Sequence, residues 1–436
     1  MTAPVTVVGA GLAGCEAAWQ LARRDIGVIL IDMKPEKRSP AHVRSDFAEL
    51  VCSNSLRSDR LENAVGLLKA EMRLLDSVIL QAADETRVEA GGALAVDRGA
   101  FSEAVTRKIC DHPRIALEHR EVTEIPAGDV ILATGPLTSD ALAATIGETV
   151  SGEFLHFFDA AAPIVSFESI DFNRAFYASR YGKGTPDYIN CGLNEAEYHA
   201  FYEALISAET AKLHGFETKQ VFEGCMPIEI MAGRGVDTLR YGPLKPVGLD
   251  HPETGERYHA VVQLRRDNAQ GSMYNLVGFQ THLTFGAQKR VFSMIPALHD
   301  AEFLRYGVMH RNTYLDSPRL LDRYYRLKAE PRIRFAGQIT GVEGYVESAA
   351  SGCLAGIELA RARRGEQAID FPKTTAIGAL ALYISDDSVT QFQPMNVNFG
   401  IIEPLGYRVR GKANKNAEIS ARALEIMQGI RVNTSL

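Results

Sequence analysis

The fold of this chain is decided by residues 5–14, which read VTVVGAGLAG. The first four residues form a short apolar strand, and small and apolar residues at helical spacing follow the three glycines. In such a unit Gly9 permits a tight turn, Gly11 lets a pyrophosphate approach the backbone, and Gly14 lets the helix pack close to the strand. The stretch predicts the strand, phosphate loop and helix of a dinucleotide-binding βαβ unit.

A second strand completes this unit. Residues 28–31 read VILI and end at Asp32, whose carboxylate can accept a hydrogen bond from a ribose hydroxyl. The helix N-terminus faces the phosphates. A glycine-rich turn without a ligand and an S-adenosylmethionine enzyme would look similar here, and both alternatives stay open. The predicted dinucleotide contacts in this unit are Gly9, Ala10, Gly11, Leu12, Ala13, Gly14 and Asp32.

Two later segments indicate which dinucleotide binds. Residues 129–135 form a buried strand that ends in Ala-Thr-Gly at Gly135, and residues 333–338 form another that ends in Gly337 and Gln338. The second strand leads into a helix rich in small residues. Flavoproteins of the glutathione-reductase type carry both features, although most have Asp where this chain has Gln338. We therefore predict FAD, with contacts from Gly135, Gly337 and Gln338.

The remaining composition limits the class of protein. The 436 residues include 47 basic and 54 acidic ones, and the net charge of −7 argues against a general nucleic-acid-coating protein while allowing a local basic face. The sequence contains no run of eighteen apolar residues, so we predict no membrane span. We also expect no targeting segment before the strand that begins at residue 5. The six cysteines contain no CxxC pair, so we predict no metal site and a reducing, cytoplasmic location.

The order of these segments predicts the domain organisation. Pieces of the FAD-binding domain occur near both ends of the chain, so the middle must be an insertion. We predict an α/β, Rossmann-like FAD-binding domain of glutathione-reductase type from residues 1–185 and 325–436. An inserted α+β domain is predicted from residues 186–324. Only one glycine fingerprint is present, so a nicotinamide reductant would bind transiently, without a Rossmann domain of its own.

Six unusual blocks are spread over the chain. They are FAELVCSNSLR (47–57), GGALAVDR (91–98), EGCMPIE (223–229), YGPLKPVGL (241–249), RYGVMHRNT (305–313) and QPMNVNFG (393–400). Together they resemble the signature of the folate- and FAD-dependent tRNA uracil-5-methyltransferases. The chain departs from this pattern at Asp32 and Ala287, where we expect Glu. The first change is conservative, and the second removes any charge that this position supplies.

This resemblance implies a reaction. A methylene group leaves 5,10-methylenetetrahydrofolate and reaches C5 of the tRNA T-loop uridine that becomes ribothymidine, and FAD reduced by NADH or NADPH takes part and supplies electrons. Uracil C5 is a poor nucleophile until a thiolate adds to C6. The resemblance makes Cys225 that thiolate and Cys52 a second catalytic cysteine on the flavin side. His310 and Tyr345 are candidates for the folate slot, because a pterin ring stacks on planar groups.

Two segments are candidates for holding RNA. Residues 302–334 contain eight basic and four acidic residues interleaved with aromatic ones, and residues 401–436 contain six basic and three acidic residues. Such stretches suit phosphates and an extruded base, but a solvated helix face would look the same. No obligate protein partner is predicted. The same chemistry on ribosomal RNA, a small-molecule flavin oxidoreductase and a non-catalytic RNA-binding flavoprotein also stay open.

Overall fold

The structure is a computed structural model. It describes residues 3–39, 41–150, 155–160, 162–211, 226–307, 309–389 and 392–434, with no side chains described for 155–160 and 309–312. The strands are β1 Val5–Val8, β2 Val28–Asp32, β3 Ser55–Ser58, β4 Arg87–Val88, β5 Ala93–Val96, β6 Ile115–His119, β7 Val130–Leu132, β8 Leu155–Ala160, β9 Ile164–Ser166, β10 Ala175–Ala178, β11 Tyr188–Leu193, β12 Ala260–Arg266, β13 Met273–Leu276, β14 Phe303–Arg305, β15 Met309–Tyr314 and β16 Ile333–Phe335. The helices are α1 Leu12–Ala22, α2 Ala64–Leu74, α3 Val78–Glu85, α4 Arg98–Cys110, α5 Asp140–Val150, α6 Glu195–Ile206, α7 Ile228–Ala232, α8 Thr238–Tyr241, α9 Phe285–Phe292, α10 Ser317–Leu320, α11 Tyr345–Arg363, α12 Ala376–Tyr383 and α13 Lys412–Thr434.

A five-stranded parallel sheet confirms the predicted α/β fold. Its strand order is β16-β7-β1-β2-β6, with β1 at the centre. Strands β1, β2, β7 and β16 are short, mostly apolar and mostly buried, as is typical of parallel strands that are covered on both faces. Four of the five strands match the predicted segments, whereas β6 was not predicted. The sequence IALEH alternates only weakly, so no local signal marks it as a strand.

Helices α1 and α11, which follow β1 and β16 in the chain, pack directly against each other, backbone to backbone. A β-carbon at Gly352 of α11 would lie 2.1 Å from the Ala13 carbonyl oxygen of α1, and one at Gly356 would lie 2.7 Å from the Ala17 carbonyl oxygen. Both distances are too short for a side chain. The small residues of α1 and α11 therefore set how closely the two helices approach.

A six-stranded antiparallel sheet forms a second unit with its own core. Its order is β10-β11-β12-β13-β9-β14, and its buried residues run from Ala162 to Ala301. Strands β9 and β10 precede residue 186, so this sheet draws on chain before the predicted start of the insertion. The assignment of two domains at residues 186 and 324 stays a prediction. Smaller sheets pair β3-β5-β4 and β15-β8.

Across the described ranges, the helices include none that is both long and apolar enough to cross a membrane.

The contact between α1 and α11 predicts opposite effects for one substitution at two glycines. Gly352→Ala should lower the thermal unfolding midpoint, because overpacking costs about 1–3 kcal/mol and exceeds the gain of about 1 kcal/mol in helix propensity. Gly429→Ala is the matched control. Its β-carbon would contact nothing within 4 Å inside α13, so it should raise the midpoint slightly. Equal shifts in circular-dichroism melts of the two variants would contradict this account of the packing.

Candidate active site

An open cleft lies at the carboxyl ends of the parallel strands. It encloses about 1130 Å³, including its solvent-filled mouth. Ligands of open α/β sheets bind at this edge. Nine of the predicted contact residues line the cleft together: Gly9, Gly11, Leu12, Ala13, Asp32, Gly135, Gly337, Gln338 and Tyr345. Gly9 and Tyr345, 336 positions apart in the sequence, therefore line the same cleft.

The glycine loop shapes one end of the cleft. Gly9 has a φ of +98°, and a β-carbon there would lie 2.6 Å from the Ala133 carbonyl oxygen. A β-carbon at Gly14 would lie 1.7 Å from the Gly9 carbonyl oxygen. Gly11 differs, because its β-carbon would contact nothing within 4 Å. Gly9 and Gly14 are thus needed for the turn and the packing, while Gly11 leaves space on the cleft side.

Backbone amides hold the acidic residue at the end of β2. The Ala10 N–H donates to Asp32 Oδ2 at 2.6 Å, and the Lys34 N–H donates to Asp32 Oδ1 at 2.8 Å. Each carboxylate oxygen accepts more than one hydrogen bond, so Asp32 keeps capacity for a hydroxyl in the cleft. Ala10 and Gly14 do not line the cleft themselves. Ala10 acts on Asp32 through its amide, and Gly14 packs beneath the loop.

The other end of the cleft is built by β16 and α11. Gly337 has a φ of +85° and its N–H donates to Ser351 Oγ at 2.7 Å. The Gln338 amide nitrogen contacts both carboxylate oxygens of Glu343 at 3.0 Å, so its side chain is fixed within this wall. Helix α11 begins at Tyr345 and directs the positive end of its dipole toward the cleft.

A cysteine meets the cleft wall at Tyr345. The Tyr345 hydroxyl lies 2.8 Å from Cys52 Sγ, and it accepts hydrogen bonds from the N–H groups of Cys52 at 2.8 Å and Ser53 at 3.3 Å. Because its oxygen already accepts two N–H donors, its own proton is directed to the sulfur. Burial, and then Cys52, raise the pKa of Tyr345 well above 10, so the phenol stays protonated.

Two buried cations fix the loop around Cys52. Arg98 donates to the Leu50 carbonyl at 2.9 Å and to Asp267 at 2.8 Å. Lys69 of α2 donates to the carbonyls of Leu56 and Ser58, both at 2.7 Å. Burial lowers the pKa of Lys69 to about 8.

An asparagine joins this loop to β5 of the three-stranded sheet and to β12 of the antiparallel sheet. The Asn54 amide donates to the Val96 carbonyl at 3.0 Å and to the Arg266 carbonyl at 2.9 Å. Arg265 of β12 donates back to Asn54 at 3.2 Å and to the Ser53 hydroxyl at 2.7 Å. The block 47–57 is therefore tied to β5 of the three-stranded sheet and to β12 of the six-stranded antiparallel sheet.

For two other predicted residues, the structure describes either the backbone alone or nothing. Cys225 lies outside the described residues. The residues that follow it are anchored, because Ile228 N–H donates to the Gln280 carbonyl at 2.8 Å and Glu229 accepts from Thr281 at 2.8 Å. His310 lies in β15, which pairs with β8, but its side chain is outside the description. The roles of Cys225 and His310 stay predictions.

The other described cysteines and Ala287 do not line the cleft. Cys15, Cys191 and Cys353 are buried, while Cys110 is exposed. Ala287 lies in the core of the antiparallel sheet, where a Glu side chain would need a partner.

Sequence analysis missed several residues of the cleft wall. They include His42, Arg120, Glu121, Thr138 and Ser139. Burial lowers the pKa of His42, so it is neutral near pH 7. Arg120 and Glu121 directly follow β6, and the rule that ligands bind at the carboxyl ends of strands would have found them had β6 been predicted.

Several cations of the first basic segment, residues 302–334, have partners within the chain. Arg323 pairs with Asp370 at 2.8 Å, Arg326 pairs with Asp322 at 2.7 Å, and Arg334 is buried. Arg319 and Lys328 are exposed, and phosphate binding by the segment stays a prediction. In the tail, four basic side chains are exposed: Arg408, Arg410, Lys412 and Lys415.

Comparisons with known proteins agree on one family. Residues 4–367 match the family model of glucose inhibited division protein A. Curated relatives from Acetivibrio thermocellus (60% identical, covering 97% of this chain and 98% of theirs) and Lactobacillus johnsonii (56%, covering 100% of both) are named methylenetetrahydrofolate--tRNA-(uracil-5-)-methyltransferase TrmFO. A Bacillus licheniformis relative with the same name is 55% identical over 99% of both chains.

Solved structures support the fold independently. Two crystal forms of Aquifex aeolicus GidA superimpose with TM-scores of 0.70 and 0.71 at 15% identity, covering 98% of this chain and 73% and 76% of theirs. The family model matches most of this chain, and the curated relatives align with nearly its whole length. The chain therefore belongs to the glucose inhibited division protein A family, among its methylenetetrahydrofolate--tRNA-(uracil-5-)-methyltransferase TrmFO members.

Proposed function

We propose that this chain is an FAD-dependent tRNA methyltransferase that moves the methylene carbon of 5,10-methylenetetrahydrofolate to C5 of a uridine and leaves a methyl group there. One observation carries the proposal. The Cys52 thiol of a signature block lies 2.8 Å from a tyrosine hydroxyl in the wall of a dinucleotide cleft. A small-molecule flavin oxidoreductase has no need of a thiol held in this way.

The cleft fits FAD by its shape and its donors. Gly11 leaves room where a pyrophosphate must approach the backbone, and Asp32 is held ready for a ribose hydroxyl. When bound, FAD supplies the electrons that convert the transferred methylene into a methyl group, with NADH or NADPH as the final reductant. The residues proposed to hold it are Gly9, Ala10, Gly11, Leu12, Ala13, Gly14, Asp32, Gly135, Gly337 and Gln338.

The two cysteines have different roles in the reaction of the uracil. The Cys225 thiolate adds to C6, which makes C5 an enolate-like nucleophile able to bond to the methylene carbon. A base then removes the C5 proton, and tetrahydrofolate leaves as its bond to the methylene carbon breaks. A hydride completes the methyl group as the thiolate leaves C6. The Tyr345 hydroxyl donates to Cys52 Sγ and so favours the thiolate, the form that can accept a proton on this side of the cleft.

The substrates are assigned by the same reasoning. The pterin ring of the folate is proposed to stack in the cleft near Tyr345, with His310 at its other face or rim. The target is the T-loop uridine of tRNA, and the exposed basic side chains of the tail contact phosphates. A cytoplasmic location and the absence of an obligate protein partner are part of the proposal.

Flavin binding is tested at Gly11. Gly11→Glu should purify with little flavin, because its carboxylate would face the pyrophosphate in a space that the fold leaves open. Gly406→Glu is the matched control, since its β-carbon would also contact nothing within 4 Å. The flavin absorbance per chain measures the result, and a Gly11→Glu protein with full flavin would sink the assignment.

The cysteine roles are tested by ribothymidine formation on unmodified tRNA. Cys225→Ala should abolish the product while keeping flavin, since no other group makes C5 nucleophilic. Cys52→Ala should also lose methyl transfer, yet it should still form a covalent complex with RNA that contains 5-fluorouracil. Exposed Cys110→Ala is the control and should stay active. Methylation of tRNA by Cys225→Ala would rule out the assigned role.

The contact between Tyr345 and Cys52 is tested by alkylation. Tyr345→Phe should slow the reaction of Cys52 with iodoacetamide at neutral pH about tenfold, because a hydrogen bond to a charged group contributes about 1.5–3 kcal/mol. Tyr383→Phe is the control, as it loses a hydroxyl that donates to the Gln393 carbonyl at 2.7 Å. Peptide mass spectrometry measures the alkylated fraction of Cys52 over time, and the alkylation of Cys110 is the internal reference. An unchanged rate in Tyr345→Phe would refute thiolate stabilisation.

A further inference from the structure

Three aromatic rings stack at the edge of the antiparallel sheet. The ring centroids of Phe303 and Tyr306 are 5.5 Å apart, and the angle between the ring planes is 12°. The centroids of Tyr306 and Phe285 are 5.2 Å apart, with an angle of 19° between the planes. Phe303 packs on the core, whereas Phe285 is 57% exposed. The stack therefore ends in an open ring on which another planar group can lie.

Cations stand beside this open ring on the same face of α9. Lys289 follows Phe285 by four residues, so the two side chains are neighbours on the helix surface, and Arg290 is adjacent. With Gly286, these residues and Tyr306 line an open groove of about 590 Å³. In the part of the chain that the structure describes, neither Lys289 nor Arg290 makes an ion pair, and both are exposed.

A buried glutamine side chain holds the backbone next to the groove in place. Gln288, on the buried face of α9, donates to the Gly307 carbonyl at 2.8 Å and accepts from the Gly307 N–H at 2.8 Å. This pair of hydrogen bonds fixes the residue that follows Tyr306. A preformed stack loses little conformational entropy when a ligand binds.

One residue beside the groove interacts electrostatically with a cation that holds the catalytic loop. Arg305 directly precedes Tyr306, and burial, followed by the positive charge of Arg98, lowers the pKa of Arg305. Arg98 in turn donates to the Leu50 carbonyl, two residues before Cys52. The residue that precedes Tyr306 is thus linked through Arg98 to the loop that carries Cys52.

We propose that Phe285 and Tyr306 form a platform on which an unpaired base stacks, in the RNA loop that carries the reacting uridine. Lys289 and Arg290 hold the phosphates beside that base. This inference rests on the proposed function and names the part of the substrate that the groove binds. A nucleotide supplies both a planar ring and an anion, and aromatic rings beside cations are the usual binding surface for single-stranded nucleic acid.

The test measures binding of the full-length holoenzyme to an unmodified T-arm stem-loop by fluorescence anisotropy. Phe285→Leu should raise Kd about 5- to 100-fold, the range that loss of one stacked base gives. Phe285→Trp should bind within about twofold of wild type because it restores a ring. Phe172→Leu is the matched control, since Phe172 is 41% exposed and stacks on Tyr177 at 5.8 Å.

Salt dependence separates stacking from charge. Phe285→Leu should leave the slope of log Kd against log salt unchanged. The double variant Lys289→Gln and Arg290→Gln should reduce that slope by about 0.7 for each charge removed. A slope that is unchanged in the double variant would remove the phosphate contacts from the proposal.

Abasic substitutions in the RNA loop identify the stacked base. One abasic position should weaken binding to wild type but add nothing to the loss in Phe285→Leu, because both changes remove the same contact. The platform is overturned if Phe285→Leu binds as tightly as wild type, if Phe172→Leu loses as much, or if every abasic position adds to the Phe285→Leu loss.

Ribothymidine formation by wild type, measured in parallel, separates the two proposals. A wild type that makes ribothymidine while Phe285→Leu binds normally contradicts the platform alone. A wild type that binds through Phe285 but forms no ribothymidine contradicts the proposed function and supports the platform. A wild type that does not bind the stem-loop overturns both.

Discussion

The backbone contact between α1 and α11 is the constraint on which the rest of the site depends. Gly352 and Gly356 let α11 lie against the carbonyl oxygens of α1, which follows the phosphate loop directly. Because α11 begins at Tyr345, the same contact sets where the phenol stands in the cleft. The position of Cys52 relative to the dinucleotide loop thus follows from the packing of two helices.

A second helix, α2, contacts the catalytic loop and α12 through two buried titratable side chains. On α2, Lys69 donates to two carbonyls of the Cys52 loop, and Glu71 accepts from the N–H groups of Ala376 and Ile377 at 2.7 and 2.8 Å. Burial raises the pKa of Glu71 to about 8. Buried polar groups are costly unless they are fully hydrogen-bonded, so these contacts favour one position of the loop over others.

Features that local sequence patterns determine were predictable, whereas contacts between residues far apart in the sequence were not. The glycine loop, the strands β1, β2, β7 and β16 and the helix α11 were predicted because glycine spacing and apolar runs are local. Strand β6 lacked such a pattern. The contact of Cys52 with Tyr345 joins residues far apart in the sequence, so the signature block suggested that Cys52 mattered without showing what it contacts. For the basic segment at 302–334, composition did not reveal partners within the chain such as Asp370 for Arg323, and its binding of phosphates stays a prediction.

The central claim is that the transferred carbon comes from the folate through this cleft and not from S-adenosylmethionine, the donor that the glycine loop alone leaves open. The direct measurement incubates the holoenzyme with unmodified tRNA, NADPH or NADH, and a donor labelled in its one-carbon group, followed by nucleoside analysis. The account predicts label in ribothymidine from 5,10-methylenetetrahydrofolate and none from S-adenosylmethionine. Label from S-adenosylmethionine, or none from the folate with the flavin intact, would contradict it.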